Sequence, residues 1–325
     1  MDLNSVVLLV AVSGYGDVSD GYPNYDERSV HLWTNAARVD PQAFDEEYQN
    51  SYDPCTFSID FQSEERIPKA PLHYTPPLNE SARFHSQDMA DNSWFDHDSS
   101  DGTPFPDRVG RFYSESGMIG ENIAMGYPSA YDAVFKGWMC SAGHRANIMS
   151  PIYLELGTGV VGAYYTQNFG GGPADSDSPI RMGLHVPEEP GSAESTEFFA
   201  DYAGRGLVQL EVWVDGKPHD MELEWGEAEL GVYWTEVEVN RAACSQYYFL
   251  VQDDSGSWTF PAEGSYLAGA ECEGLWVSGH LSTEDALDPD ALLDDVYLIS
   301  CSSTGGSQLA SVAVLGLLAL RRRRT

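Results

Sequence analysis

The sequence predicts an α+β protein, and three observations carry that prediction. Helical stretches mixed with Gly-, Pro- and Ser-containing loops occupy about residues 27–170. The run Gly170-Gly-Gly-Pro-Ala-Asp-Ser-Asp-Ser-Pro179 then reads as a linker over 171–179. Beyond it, over 180–300, short strand-like runs recur between turn signals, the pattern of a small all-β sandwich domain.

The chain has 325 residues, with 17 Lys+Arg against 51 Asp+Glu and a net charge of −34. Phosphate backbones need clustered cations, so nucleic acid is excluded as a partner. Hydrophobic residues make up 42% and aromatics 12%, which excludes a disordered chain. Five cysteines point to an oxidising compartment, with one thiol left over.

At the start, Val6–Val12 is a short apolar run without a cationic lead. Residues 1–16 read as a signal segment, with a buried first strand as the alternative. Val30, Trp33 and Ala37 share one face of a first helix over Val30–Arg38, and Pro77–Met89 reads as a second. The second leads into Trp94-Phe-Asp-His97-Asp-Ser-Ser-Asp-Gly-Thr103, followed by Gly120-Glu121-Asn-Ile-Ala124. A third helix begins near Ser129, places Ala133, Val134 and Trp138 together, and runs into Cys140-Ser-Ala-Gly-His144-Arg-Ala-Asn-Ile-Met149. Tyr153–Val161 and Tyr164–Gly170 read as two strands.

In the second region strands are expected at Arg181–Val186, Leu207–Val214, Met221–Trp225, Leu230–Val239, Tyr247–Val251, Trp258–Phe260 and Leu275–Val277. Cys244 and Cys272 both fall there and are expected to pair; Cys55 and Cys140 fall in the first region and are paired by the same reasoning. Cys301 is then the odd one. It precedes an apolar run, Leu309–Leu320, and Arg321–Arg324. A dozen helical residues span about 18 Å, short of a bilayer core of about 30 Å. The arginines would stay on the cytoplasmic side and leave the rest of the chain outside.

The order and spacing of the segments around His97, Glu121 and His144 resemble the CAP superfamily (cysteine-rich secretory, antigen 5, pathogenesis-related 1), in its bacterial SCP-like branch. The resemblance covers about residues 28–170. It implies a three-layer α-β-α sandwich with a cleft lined by two histidines and acidic residues, the histidines holding a divalent ion in several members. Carried over by motif, those residues are His97, Glu121 and His144. The second glutamate of many eukaryotic relatives, in a Trp-x-x-Glu motif, is absent, because the matching stretch is Trp138-Met-Cys-Ser141. The tail over 301–325 resembles the MYXO-CTERM sorting tags of myxobacterial surface proteins, which implies processing near Cys301, a tail held transiently or permanently in a membrane, and a secreted or surface location.

Two neutral imidazoles can each offer a nitrogen to Zn²⁺ or a similar ion, with water filling the remaining positions, so binding is expected to be weak. Glu121 would orient a ring N–H or a water, and is the candidate catalytic residue. Cys140 and His144, four apart, invite a thiol-nucleophile reading that a Cys55–Cys140 disulfide removes. Asn122, Arg145 and Asn147 are expected to tie loop backbone together. The acidic run Asp288–Asp295 lacks EF-hand spacing and reads as a solvated loop. Trp33, Trp94, Trp138, Tyr164, Tyr165 and Phe169 are expected in the core. The favoured function is a non-enzymatic extracellular binding module for a lipid, a metal ion, a polysaccharide or a partner protein. The alternative is a metal-dependent hydrolase of peptide or cell-wall material, with Glu121 activating water.

Overall fold

The computed structural model describes residues 14–44, 55, 61–114, 118–173, 177–187, 195–239, 244–269, 272 and 276–282. The Leu309–Leu320 tail, Cys301 and the Asp288–Asp295 run lie outside the described residues, as do residues 1–13 of the expected signal segment. Among the described residues no helix is long and apolar enough to cross a membrane.

Helix α1 spans Tyr25–Val39 and begins five residues before its apolar periodicity does. The reason is a reciprocal cap: Asn24 Oδ1 accepts the Glu27 N–H at 2.9 Å, while Glu27 Oε2 accepts the Asn24 N–H at 3.2 Å. Asp26 and Glu27 in the first turn and Arg38 in the last complement the helix dipole. Helix α2, Pro76–Asn92, starts on prolines that have no N–H to leave unpaired, and ends where Ser93 turns left-handed at φ 49°. Short helices α3 (Phe105–Val109), α4 (Ala130–Asp132, continued as a π-turn over Ala133–Trp138) and α5 (Ala142–Ile148) frame the loops.

Four strands, β1 (His73–Tyr74), β2 (Ile119–Met125), β3 (Glu155–Val161) and β4 (Tyr164–Gly170), form a sheet in the order β1-β3-β4-β2. All pairings are antiparallel except β1 with β3. Its two faces carry different helices. Thr158 Oγ1 donates to the Glu27 carbonyl of α1 at 2.8 Å, whereas Ser86 of α2 donates to the Gly159 carbonyl at 2.9 Å. A methyl group on Gly157 or Gly159 would overlap the backbone of α2, so glycine is what lets that helix lie flat on β3. The result is helix, sheet, helix.

Every described element from Gly183 to Val277 is a strand. Strands β5 (Gly183–Val186), β6 (Thr196–Ala203), β9 (Glu222–Glu227) and β10 (Leu230–Val237) make one sheet, β5-β6-β10-β9. A second runs β14-β13-β11-β7-β8, from Trp276–Val277, Ser265–Ala268, Ser245–Asp253, Gln209–Val214 and Lys217–Asp220. Strand β12, Gly256–Phe260, also pairs with β11. The sheets face each other: the rings of Phe198 and Tyr247 sit 5.0 Å apart edge to face, and His185 Nδ1 meets the Tyr247 hydroxyl at 2.8 Å. Strands β6, β8 and β13 had no expectation in the sequence. Thr196–Ala203 mixes charge with aromatics, and Lys217–Asp220 is polar throughout, so neither shows an apolar run.

Helix α1 lies between the two halves, and every residue from Glu27 to Val39 is buried. Trp33 meets Phe199 at 5.4 Å and Trp225 at 6.1 Å, and the Arg28 guanidinium sits 3.9 Å above the Tyr266 ring. Tyr15, from the start of the described chain, packs on Phe260 at 5.7 Å and donates to the Arg181 carbonyl. Disulfides join Cys55 to Cys140 and Cys244 to Cys272. Trp33, Trp138, Tyr165 and Phe169 are buried, but Trp94 is 41% exposed. Trp94 turns outward because its indole N–H donates to the Asp98 carbonyl at 2.8 Å, bracing the loop instead of filling the core.

Candidate functional site

Strand β2 lies at an edge of the first sheet, and the candidate site is built around it. Glu121, on β2, is buried with its side chain 1% exposed. A buried carboxylate needs partners for both oxygens. Oε1 faces His97 Nδ1 at 2.9 Å; Oε2 accepts from Asn168 Nδ2 at 2.9 Å and from the Arg108 guanidinium. Arg108, wholly buried on α3, also donates to the His97 carbonyl at 2.7 Å. One arginine therefore fixes both the carboxylate and the backbone of the histidine it holds. His85 of α2 approaches the same Oε1 at 3.9 Å and is held by the Asp96 carbonyl at 3.0 Å.

His97 keeps 51% of its side chain in solvent. Its hydrogen bond to Glu121 favours the protonated ring and raises its pKa above the ordinary value, burial opposing in part. His144, on α5, shows the reverse: burial, then the nearby His97, lowers its pKa. Its Nδ1 is buried with no hydrogen-bond partner. The loop that carries it is pinned to the strand, because Asn122 Nδ2 donates to the His144 carbonyl at 3.1 Å and Asn147 Nδ2 donates to the Glu121 carbonyl at 3.1 Å.

His97 and His144 line one open cleft of about 560 Å³. Its remaining wall is mostly apolar and aromatic: Phe95, Ile123, Met125, Tyr127 and Trp138. Phe95 and Met125 leave 46% and 48% of their surface in water. Ser141, standing where a second glutamate would lie, lines the cleft too. Glu121 lies against His97 but behind it, out of the lining.

The remaining sequence candidate, Arg145, is a structural tie: it binds Glu65 at 3.0 Å and the Met139 carbonyl at 2.9 Å. Cys140 is in a disulfide, which removes the thiolate a nucleophile needs. Sequence reasoning gave no site role to His85, Arg108 or Asn168. His85 falls in the second-helix segment and Asn168 in the last strand of the first region, and only their convergence in space marks them.

The donor set fits a divalent ion in part. With Nδ1 of His97 committed to Glu121, its Nε2 is the ring's other donor, the arrangement in which a carboxylate orients a ligating imidazole. Among the described residues no group of three or more His, Cys, Asp or Glu is placed to hold a metal. Two imidazoles alone do not make a closed four-ligand centre.

Residues 28–170 match the model of the CAP family, the cysteine-rich secretory protein family. Two curated relatives from Bacillus subtilis (strain 168) are similar to part of the chain. The uncharacterized protein YkwD is 43% identical over 102 residues, 30% of this chain and 39% of the relative. The uncharacterized membrane protein YlbC is 40% identical over 100 residues, 31% of this chain and 29% of the relative. Among solved structures, an extracellular protein containing a SCP domain from Bacillus anthracis str. Ames is 37% identical, covering 31% of this chain and 34% of that one, with a TM-score of 0.30. The chain thus spans well under half the length of the curated relatives it matches. The match to the CAP family is thus confined to residues 28–170, a little under half of the chain.

Proposed function

We propose that this is a secreted or surface-held CAP-domain protein that binds a ligand in the cleft beside His97, Glu121 and His144. One observation carries the preference for binding over catalysis. Both oxygens of Glu121 are already occupied, by His97 on one side and by Arg108 and Asn168 on the other. A general base needs a lone pair aimed at the water it activates, and this carboxylate is held by three partners behind His97, outside the cleft lining. That weighs against the alternative, a metal-dependent hydrolase of peptide or cell-wall material.

The apolar wall supports a ligand with an apolar portion, a lipid or a hydrophobic segment of a partner, with the imidazoles contacting its polar end. A divalent ion such as Zn²⁺ would be held by His97 and His144, supplying positive charge at that end. Two disulfides support an oxidising location. The Cys301-to-arginine tail supports sorting to the cell surface, and the β-rich C-terminal half supports an all-β second module.

Calorimetric titration of the full chain with Zn²⁺, alongside His97→Ala and His144→Ala, tests the site. The expected result is one weak site lost in both variants. Turnover of a peptide or peptidoglycan substrate that disappears in Glu121→Ala would overturn the binding assignment.

A further inference from the structure

Two buried hydrogen-bond series, one from the C-terminal half and one from the cleft, end on adjacent residues of α1, Asn35 and Thr34. Asp201, on β6, is wholly buried. Its Oδ1 accepts the backbone N–H groups of Arg181 at 2.6 Å and Met182 at 3.0 Å, and its Oδ2 accepts Asn35 Nδ2 of α1 at 2.6 Å. The Asn35 amide has one orientation, because its Oδ1 accepts the Leu72 N–H at 2.8 Å. Its neighbour Thr34 donates its hydroxyl to the Val30 carbonyl at 2.7 Å, and so offers only lone pairs to Gln167 Nε2, 2.6 Å away on β4. Gln167 Oε1 accepts Asn122 Nδ2 at 2.9 Å, and that same amide donates to the His144 carbonyl. Asn122 Oδ1 accepts Asn147 Nδ2 at 2.9 Å, which returns to the Glu121 carbonyl.

Thr34, Asn35, Asn122, Gln167 and Asp201 are all 0% exposed. Water cannot replace a lost partner at that depth, so breaking a link leaves a donor or acceptor unpaired, and a shift of α1 at Asn35 carries Thr34 with it through the helix backbone they share. The cleft backbone at both Glu121 and His144 is the far end of the series.

We propose that Asp201 is a positioning residue for the His97/His144 cleft, acting through Asn35 and Thr34 of α1 and through Gln167 and Asn122 of the sheet. The C-terminal half thereby shapes a site it does not touch. This rests on reading the cleft as the functional site, but the test below needs no ligand, so failure of the binding assignment and failure of this coupling give different results.

The experiment uses the full chain carrying Asp201→Asn. That change keeps the side-chain shape but sets an N–H group against Asn35 Nδ2, breaking the link. The readouts are the ¹H–¹⁵N signal of the Asn122 side-chain amide and amide exchange over residues 141–149. The expected result is a shifted Asn122 signal and exchange faster by roughly tenfold, within the range of ordinary site coupling. Val212→Ala, a buried position in the same half but outside the series, serves as the control and should move neither readout while lowering thermal stability. Gln167→Leu should reproduce the effect, and the double variant should exceed Gln167→Leu by nothing. Should Asp201→Asn not fold, Gln167→Leu decides alone through faster exchange at Arg181 and Met182. Changes confined to residues 179–203, equal changes in Val212→Ala, additive effects in the double variant, or unaltered exchange at Arg181 and Met182 in Gln167→Leu would overturn the proposal.

Discussion

Asn168 donates to Glu121 Oε2, the same carboxylate oxygen that Arg108 grips, so the strand paired with β2 helps solvate a charge buried beneath His97 that Arg108 offsets. The cleft therefore rests on a balanced pair whose members cannot be changed singly at low cost.

Arg108→Met would leave the Glu121 charge buried with one amide and one imidazole for company. Removing one partner of a buried pair costs about 3–5 kcal/mol. Urea unfolding should show that loss, with a smaller loss for the double variant Arg108→Met/Glu121→Gln. Equal stability of wild type and Arg108→Met would contradict the assigned role.

Glu27 carries the pH dependence worked out most simply. Burial raises its pKa from the model-peptide value of 4.5 to about 7, against the opposing pull of Asn79, Arg83 at 3.8 Å and the Asn24 N–H. The folded state then binds a proton that the unfolded chain has released, so this contribution is fully present below about pH 4.5 and is lost as pH rises through 7. His31, lowered to about 4 by burial, acts in the opposite sense: its contribution is present above pH 6.5 and is lost as pH falls through 4. The difference between wild type and Glu27→Gln isolates the first effect. Urea midpoints measured from pH 4.5 to 8 should fall more steeply with rising pH in wild type than in the variant.

Gly157→Ala tests the contact between α2 and β3. The added methyl would overlap backbone atoms of Leu78 and Asn79, which no rotamer change can relieve. Overpacking costs typically about 1–3 kcal/mol and more where backbone must move, so a loss of at least about 3 kcal/mol is expected. Gly102→Ala, at φ +83° with open space around it, should cost about 1 kcal/mol. Thermal melts that rank the two in reverse would refute the packing argument.

The Cys55–Cys140 bridge closes a separation of 85 residues. Loop-closure entropy assigns such a crosslink about 4.6 kcal/mol. Cys55→Ser/Cys140→Ser should therefore unfold at markedly lower denaturant concentration. Because Cys140 precedes the His144 helix, exchange near His144 should also quicken.

The sequence made His97, Glu121 and His144 legible because each sits in a short segment of recognisable spacing, and the structure brings all three to one edge strand. It also made both cysteine pairs legible, region by region. Arg108 and Asn168 stayed hidden, since an arginine eleven positions after His97 has no local reason to serve Glu121; that role exists only once α3 folds back. Strand β13 escaped notice for a similar reason: four residues, Ser265–Ala268, are too few to show a period. The early start of α1 was written in Asn24 and Glu27 rather than in apolar spacing, and the helix is covered on both flanks.

That covering has a practical consequence. A fragment cut at Gly170, where the family match stops, would strip the aromatic blanket from Trp33 and bare the cation of Arg28. The shortened polypeptide would be adhesive as well as smaller, and any molecule seeking the first helix in the intact protein must first prise the polypeptide's own halves apart.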